Sequence, residues 1–253
     1  MLVKNPKILA LIPARMGSSR FPGKPMAKLL GKPMIGHVFE RVSLNKQLML
    51  TAVATCDGEI ASYIHSLGGK AVMTSNRHER ASDRCAEAVL ILEQELGVSF
   101  DIVVMVQGDE PMTHPDMITE AIQPFLVDSS VRVSNLLGVI ENLEEFEDRN
   151  CIKVVCDQSS NAIYMSREPI PTKSKGFDFP RDKQVCIIPF RRDFLMEYTE
   201  MAPTPLEIAE SIDMLRVIEN GLKVKMVRTN HSTRAVDTPD DLKLVENLLE
   251  QIL

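Results

Sequence analysis

The stretch Lys7-Ile8-Leu9-Ala10-Leu11-Ile12, followed by Pro13-Ala14-Arg15-Met16-Gly17-Ser18-Ser19-Arg20-Phe21-Pro22-Gly23-Lys24-Pro25, decides how the chain is read. A short apolar run of strand character feeds a loop with three cations, two glycines and two serines. That composition lets backbone amides and fixed positive charge surround a polyphosphate. The loop is not the ATPase P-loop, because five residues separate Gly17 from Gly23 instead of four, and Pro25 stands where that motif has the hydroxyl that holds Mg²⁺.

Working outward, apolar periodicity alternates between strand and helix through the first half of the chain. Met34, Ile35, Val38, Phe39 and Val42 share one helical face, residues 50 to 55 return to a strand, and Ile60, Ala61, Ile64 and Leu67 form the next helical face, stopped by Gly68-Gly69. A strand over 70 to 73, a helix from about Ser82 to Leu96, a strand over 100 to 106 and a helix opened by Pro115 continue the pattern. This alternation predicts an α/β fold with a mostly parallel central sheet. The second half is less regular: strands are expected over 131–140, 151–156 and 162–166, and the proline-rich residues 167–183 read as an extended arm. The chain closes on a helix introduced by Thr238-Pro239-Asp240-Asp241, with a hydroxyl N-cap, Pro at the first helical position and an acid at the third.

Composition narrows the class. With 44% hydrophobic and 25% charged residues, the 253-residue chain is expected to bury a full core as a single domain. A net charge of −6 argues against a general nucleic-acid binder, so no nucleic-acid partner is expected. No apolar run reaches the roughly 20 residues of a membrane helix, and the first residues lack a signal-peptide pattern, so no membrane insertion and a cytoplasmic location are expected. The five cysteines lack paired metal-ligand spacing and read as reduced thiols.

Two acids stand out. Asp109, in Gln107-Gly108-Asp109-Glu110-Pro111, emerges at the carboxyl end of a buried strand, where open α/β sheets place their ligands. Its carboxylate suits a hard cation such as Mg²⁺, and Gly108 permits close backbone approach to a nucleotide; a solvated acidic turn is the alternative. Asp237, in Val236-Asp237-Thr238-Pro239, reads either as a second metal-binding acid or as part of a helix start. Together with the Arg/Lys/Gly loop, the two acids make the set needed for nucleotidyl transfer, in which Mg²⁺ bridges phosphate oxygens and cations neutralise departing pyrophosphate. In the polar segment His78-Glu79-Arg80-Ala81-Ser82-Asp83-Arg84, Asn76 upstream, Arg80 and Arg84 could read a base edge or a phosphate; alternatively Ser82 caps a helix and Arg84 is solvated.

Eight segments in order carry a resemblance. They are Pro13 to Arg15 with Ser19 to Pro25, Gly31 to Ile35, Val53 to Thr55, Met73 to His78, Val106 to Pro111, Lys153 to Val155, Ser166 to Pro171, and Val236 to Leu242. Together they resemble the CMP-Kdo synthetases, the 3-deoxy-manno-octulosonate (Kdo) cytidylyltransferases. The resemblance implies a Rossmann-like nucleotidyltransferase fold, use of CTP and an acidic sugar acceptor, Mg²⁺ dependence, pyrophosphate release, a homodimer and a role in lipopolysaccharide biosynthesis. It assigns Pro13, Ala14, Arg15, Ser18 and Lys24 to the triphosphate loop, with Arg84 and Gly108 near the nucleotide. Arg15, Lys24, Asp109 and Asp237 are its catalytic set, Asp109 and Asp237 the metal ligands, and Gln107, Gln184, Ile188, Asp213 and Met214 the acceptor-binding positions. It implies a nucleotide-binding half over about 1–127, an irregular acceptor and dimerisation region over about 128–235, and a closing metal-site turn and helix over 236–253.

The chain departs from the family pattern near the acceptor. Where the family usually reads His-x-Ser-Gly-Thr-Asp/Glu-Arg, this chain reads His78 to Arg84 without the glycine. Gln184 and Ile188 replace the usual His and Tyr, and Met214 replaces a Gln by a thioether that hardly hydrogen-bonds. Kdo is the expected acceptor, with an amino-substituted analogue or another ulosonic acid as the alternative. A metal-dependent glycosyltransferase could also use the Gly-Asp-Glu acid but has less need of the cationic loop, and a silent nucleotide-binding homologue need not keep charge at Arg15, Lys24, Asp109 and Asp237.

Overall fold

In the computed structural model, which describes residues 5–17, 21–172 and 181–250, the first apolar run is strand β1 (Ile8–Ala14), buried along its whole length. A strand flanked by strands on both edges and covered on both faces has to be apolar at successive positions, which is why the run does not alternate. A 3-10 turn at Lys24–Met26 and the ribbon β2 (Lys28–Leu29) and β3 (Lys32–Pro33) lead into α1 (Met34–Ser43). There follow β4 (Leu50–Thr55), α2 (Gly58–Ser66), β5 (Lys70–Met73), α3 (Ala81–Leu96), β6 (Ile102–Val106) and α4 (Pro115–Val127). β4 and β6 pair parallel with β1 on its two edges, and β5 extends the sheet parallel to β4. Gly68, after α2, sits at φ 73°, a left-handed conformation that ends a helix cheaply only in a residue without Cβ.

The second half contributes β7 (Ser134–Val139), α5 (Leu143–Glu147), β8 (Lys153–Cys156), β9 (Ala162–Ser166), β10 (Asp182–Val185) and β11 (Ile187–Arg191). The chain then runs through α6 (Arg192–Glu200), α7 (Pro205–Glu210), α8 (Met214–Glu219), β12 (Lys225–Arg228) and α9 (Pro239–Glu250). Two five-stranded sheets result, in the orders β11-β6-β1-β4-β5 and β12-β7-β10-β8-β9. The central sheet is parallel except for β11, which runs antiparallel to β6 along its edge. The nucleotide-binding half is thus completed by a strand from residues expected to belong to the acceptor region. The last residues of the expected arm, Asp182 and Lys183, begin β10; residues 173–180 lie outside the described residues.

One residue, Cys186, separates β10 in the second sheet from β11 in the central sheet. Its carbonyl accepts Gln107 N–H at 3.0 Å, so the crossover is fastened to the end of β6. Two apolar layers cover the central sheet: Cys85, Val89, Phe194, Met214 and Leu215 with one face, Ile35, Val38, Ile60, Ile118 and Ile122 with the other. A smaller cluster of Leu29, Met34, Met112, Val236, Val245 and Leu249 seats α9 beside the carboxyl edge. None of the described helices is long and apolar enough to cross a membrane.

Candidate active site

The carboxyl ends of β1 and β6 open into a cleft of about 460 Å³, whose other wall is the junction of the two sheets. Pro13, Ala14 and Arg15 line it from the end of β1, Gln107 and Asp109 from the end of β6, and Gln184 and Ile188 from either side of the crossover. Topology explains this placement, because a parallel sheet delivers all its strand ends, and the loops after them, to one edge.

The loop and the two acids, with Asp237 lying 213 positions beyond Lys24 in sequence, meet at Lys24. Its Nζ donates to Asp109 Oδ2 at 2.7 Å and to the Val236 carbonyl at 2.9 Å, and lies 3.6 Å from Asp237 Oδ1. The Val236 amide in turn donates to the Asp109 carbonyl at 2.9 Å, so the backbones carrying the two acids are also joined. Two oxygen-only side chains flanking one ammonium group are the donors a hard divalent cation selects. The two readings of Asp237 also separate here. Thr238 Oγ1 accepts the Asp241 amide at 3.2 Å, while Asp241 Oδ2 accepts Thr238 N–H at 2.9 Å and its hydroxyl at 2.8 Å. Thr238 and Asp241 therefore cap α9 as a reciprocal pair, and the Asp237 carboxylate is directed to Lys24 instead.

Glu110 is a site residue that the sequence reading passed over. Its carboxylate is buried and accepts Cys186 N–H at 3.2 Å and the Thr233 hydroxyl at 2.9 Å, tying the end of β6 to the crossover and to the segment before Asp237. Burial, reinforced by neighbouring Asp109, pushes its pKa up to about 7. Its signal was available: an acid directly after Asp109 at the end of a fully apolar strand. Lys153, quoted only within a motif, is a second such residue. Its buried ammonium donates to the carbonyls of Asp148 at 2.7 Å, Cys151 at 2.6 Å and Arg167 at 2.5 Å, which shapes the loop forming the far wall.

Other expected site residues take more varied places. Arg15 is exposed on the cleft, and Ser18 lies outside the described residues. Gly108 makes its close approach to protein: a Cβ there would stand 3.1 Å from the Pro13 carbonyl and 3.3 Å from Ile35 Cδ1, so the glycine lets β6 turn against β1. Arg84 is buried, not solvated; it donates to Thr74 Oγ1 at 2.6 Å and to the Ser75 and His78 carbonyls at 3.3 and 3.4 Å, holding the 74–78 loop on the cleft. Ser82 does not cap its helix, since α3 already begins at Ala81 with Arg80 in the N-cap position.

Arg80 is directed instead across the cleft, where Nη1 donates to Asp213 Oδ1 at 2.7 Å and Nη2 lies 3.6 Å from Glu207 Oε1. Glu207 is held by Arg216 in a two-point pair at 2.6 and 2.7 Å. Burial holds the Asp213 carboxyl above the ordinary range, and Arg80 opposes that rise. Gln184 faces the cleft with its amide donating to Asn135 Oδ1 at 2.6 Å, and Ile188 presents an aliphatic side chain. Met214 corrects the expected acceptor set: at the first turn of α8 its side chain faces inward, fully buried in the core beside Leu215, and does not line the cleft. In a helix the residue next to a cleft-facing one points elsewhere, so Asp213 occupies the wall and Met214 packs beneath it.

Residues 9–226 match the cytidylyltransferase family model. The 3-deoxy-manno-octulosonate cytidylyltransferase of Geobacter metallireducens is 42% identical, over 96% of this chain and 98% of that protein. The enzyme of the same name from Solibacter usitatus is 38% identical over 96% and 95%. A CMP:2-keto-3-deoxy-manno-octonic acid synthetase, solved in complex with CTP, superposes with a TM-score of 0.87 at 36% identity, covering 98% of this chain and 100% of that one. A cytidylyltransferase from Leptospira borgpetersenii shares the fold at 17% identity, with a TM-score of 0.63 over 98% and 88% of the two chains. With the match running through both sheets and through the loop and strand ends that form the cleft, the chain belongs to the cytidylyltransferase family, among the 3-deoxy-manno-octulosonate cytidylyltransferases.

Proposed function

We propose that this protein transfers the cytidylyl group of CTP to 3-deoxy-manno-octulosonate, or to a close ulosonic acid, forming the CMP-sugar and pyrophosphate. The observation that carries the reading is the convergence of Lys24, Asp109 and Asp237 at the carboxyl edge of the sheet. Support comes from relatives named for that reaction and from a neighbour bound to CTP.

In this reading the acceptor hydroxyl attacks the α-phosphorus of CTP, a P–O bond forms, and the bond to the β-phosphate oxygen breaks as pyrophosphate leaves. Arg15 and Lys24 supply positive charge for the triphosphate and for the charge that grows on the leaving group. Asp109 and Asp237 are the residues that would hold Mg²⁺, and the ion, when bound, neutralises phosphate oxygens. Glu110 and Lys153 keep the walls in place by filling buried hydrogen-bonding groups. Arg80 neutralises Asp213, which would otherwise repel an anionic acceptor. A cytoplasmic location, a homodimer and a place in lipopolysaccharide biosynthesis complete the proposal. The exposed apolar side chains of Val139 in β7 and Ile163 in β9 suit a contact between second sheets.

Pyrophosphate release with CTP, Mg²⁺ and a panel of ulosonic acids, repeated with ATP, UTP and GTP, tests the reading. Release that depends on both CTP and an ulosonic acid is expected, and release with another nucleotide alone would overturn it. The cleft wall favours a second outcome within the same reaction. Gln184 is already engaged by Asn135 and Ile188 offers no hydrogen bond, so two acceptor pairings are missing or rearranged. At about 0.5–1.5 kcal/mol each, their loss predicts a kcat/KM with Kdo lower by about 5- to 150-fold than that of a relative with His and Tyr there, and a faster panel compound. Equal efficiency with no faster compound leaves Kdo as the acceptor.

A further inference from the structure

We propose that His114, Asp116 and His231 form a second cation site, for a divalent transition ion of the Zn²⁺ class, which clasps the two chain segments that carry Asp109 and Asp237. Among the described residues, these three are the one group of three or more His, Cys, Asp or Glu side chains whose ligand atoms all lie within 4.8 Å of one another. None of them lines the cleft. His114 follows Asp109 by five positions and His231 precedes Asp237 by six, so each acid has one of the two imidazoles on its own segment.

The two rings stack with centroids 4.2 Å apart and planes 13° from parallel, which brings ring nitrogens of the two segments side by side. His114 Nδ1 accepts the Asp116 amide at 3.2 Å and lies 3.6 Å from Asp116 Oδ2, so a carboxylate oxygen stands beside the ring nitrogen. A further oxygen is at hand: Glu120 Oε1 lies 3.9 Å from His231 Nε2, and Glu120 Oε2 is buried without a hydrogen-bond partner.

The chemistry of the donors selects the ion. Two imidazoles with carboxylate oxygens suit Zn²⁺, Co²⁺ or Ni²⁺, whereas Mg²⁺ prefers oxygen and retains its waters. Ligands of a tetrahedral ion at about 2.0–2.1 Å stand roughly 3.3 Å apart, so the side chains must close in and the rings must turn out of their stack. With side chains 46%, 68% and 31% exposed, His114, Asp116 and His231 can do so without moving the core. The ion then fixes the spacing of the Asp109 and Asp237 segments from outside the cleft.

The test is a titration of the full-length protein with Zn²⁺, and with Co²⁺ for its visible spectrum, in saturating Mg²⁺, alongside thermal unfolding. His114→Asn, which keeps an N-cap acceptor for α4, and His231→Ala are compared with the double variant Asp109→Asn/Asp237→Asn. One equivalent of Zn²⁺ should bind the wild type and raise its unfolding midpoint, weaken by at least about tenfold in each His variant, and persist in the Asp double variant. Absence of one-equivalent binding to the wild type, wild-type affinity in either His variant, or loss of the ion in the Asp double variant would each overturn the proposal.

Discussion

Replacing Lys24 by Met keeps most of the side-chain volume and removes an ammonium that touches both acid-bearing segments. With it go the contacts at 2.7 Å to Asp109, 3.6 Å to Asp237 and 2.9 Å to the Val236 carbonyl. A hydrogen bond to a charged group contributes about 1.5–3 kcal/mol, and the stranded carbonyl adds about 1 kcal/mol. The two carboxylates then face each other without a counter-charge, and at an effective dielectric near 20 unit charges several ångströms apart repel by about 2–3 kcal/mol before solvent screening. The side chains are 13%, 24% and 17% exposed, so screening removes part of this. A net loss of about 2–4 kcal/mol in EDTA follows, or about 5–15 °C in the unfolding midpoint of a chain this size. Adding Mg²⁺ should narrow the gap between variant and wild type, because the ion can replace the missing charge between Asp109 and Asp237. Calorimetry across a Mg²⁺ series reads this directly, and a parallel binding assay should show CTP affinity falling far more than CMP affinity. An unfolding midpoint within about 1 °C of wild type, or a deficit that Mg²⁺ leaves untouched, would refute the shared-cation reading of the two acids.

Asp109→Asn and Asp237→Asn should each lower turnover by several orders of magnitude in folded protein, whereas Thr238→Ala should cost about 1 kcal/mol of stability with turnover kept; pyrophosphate release and denaturant melts of the purified variants separate the two. Arg80→Met should raise KM for the acceptor and leave KM for CTP nearly unchanged, and adding Asp213→Asn should recover part of the loss; no recovery would show that charge balance at this wall is not its role. The same variant tests pH dependence. Burial raises the folded-state pKa of Asp213, so the native state holds its proton longer than the unfolded chain, and stability falls as pH rises through that interval. Without Arg80 the pKa rises further and the fall should extend to higher pH in denaturant midpoints measured from about pH 4 to 8.

Much of the fold was legible because its first half is locally consistent. The strand-helix alternation, the Gly68 stop and Pro115 at the start of α4 are short-range consequences of side-chain period and backbone geometry, and they are observed with shifts of a residue or two at the element ends. Less was legible after residue 130. Gln184 and Ile188 read as two acceptor positions of one segment, yet that segment forms two strands in two different sheets about the single residue Cys186. No local pattern announces which sheet a short strand joins, because that choice is made by partners such as Val103 to Val106, far away in sequence.

The chemistry divides along the same line. The sequence by itself determined the donor types: a cationic glycine-bearing loop, Asp109 at the end of an apolar strand, and Asp237 before a helix. Tertiary structure alone decided that these meet at Lys24, that Asp241 caps α9 and so releases Asp237, that Gly108 serves strand packing, and that Met214 leaves the acceptor wall while Asp213 and Arg80 form it. The physical reason is range. Periodicity, caps and turns are set within a few residues and are written in the local sequence, whereas an ion pair across a cleft is set by the parallel sheet that brings distant strand ends to one edge.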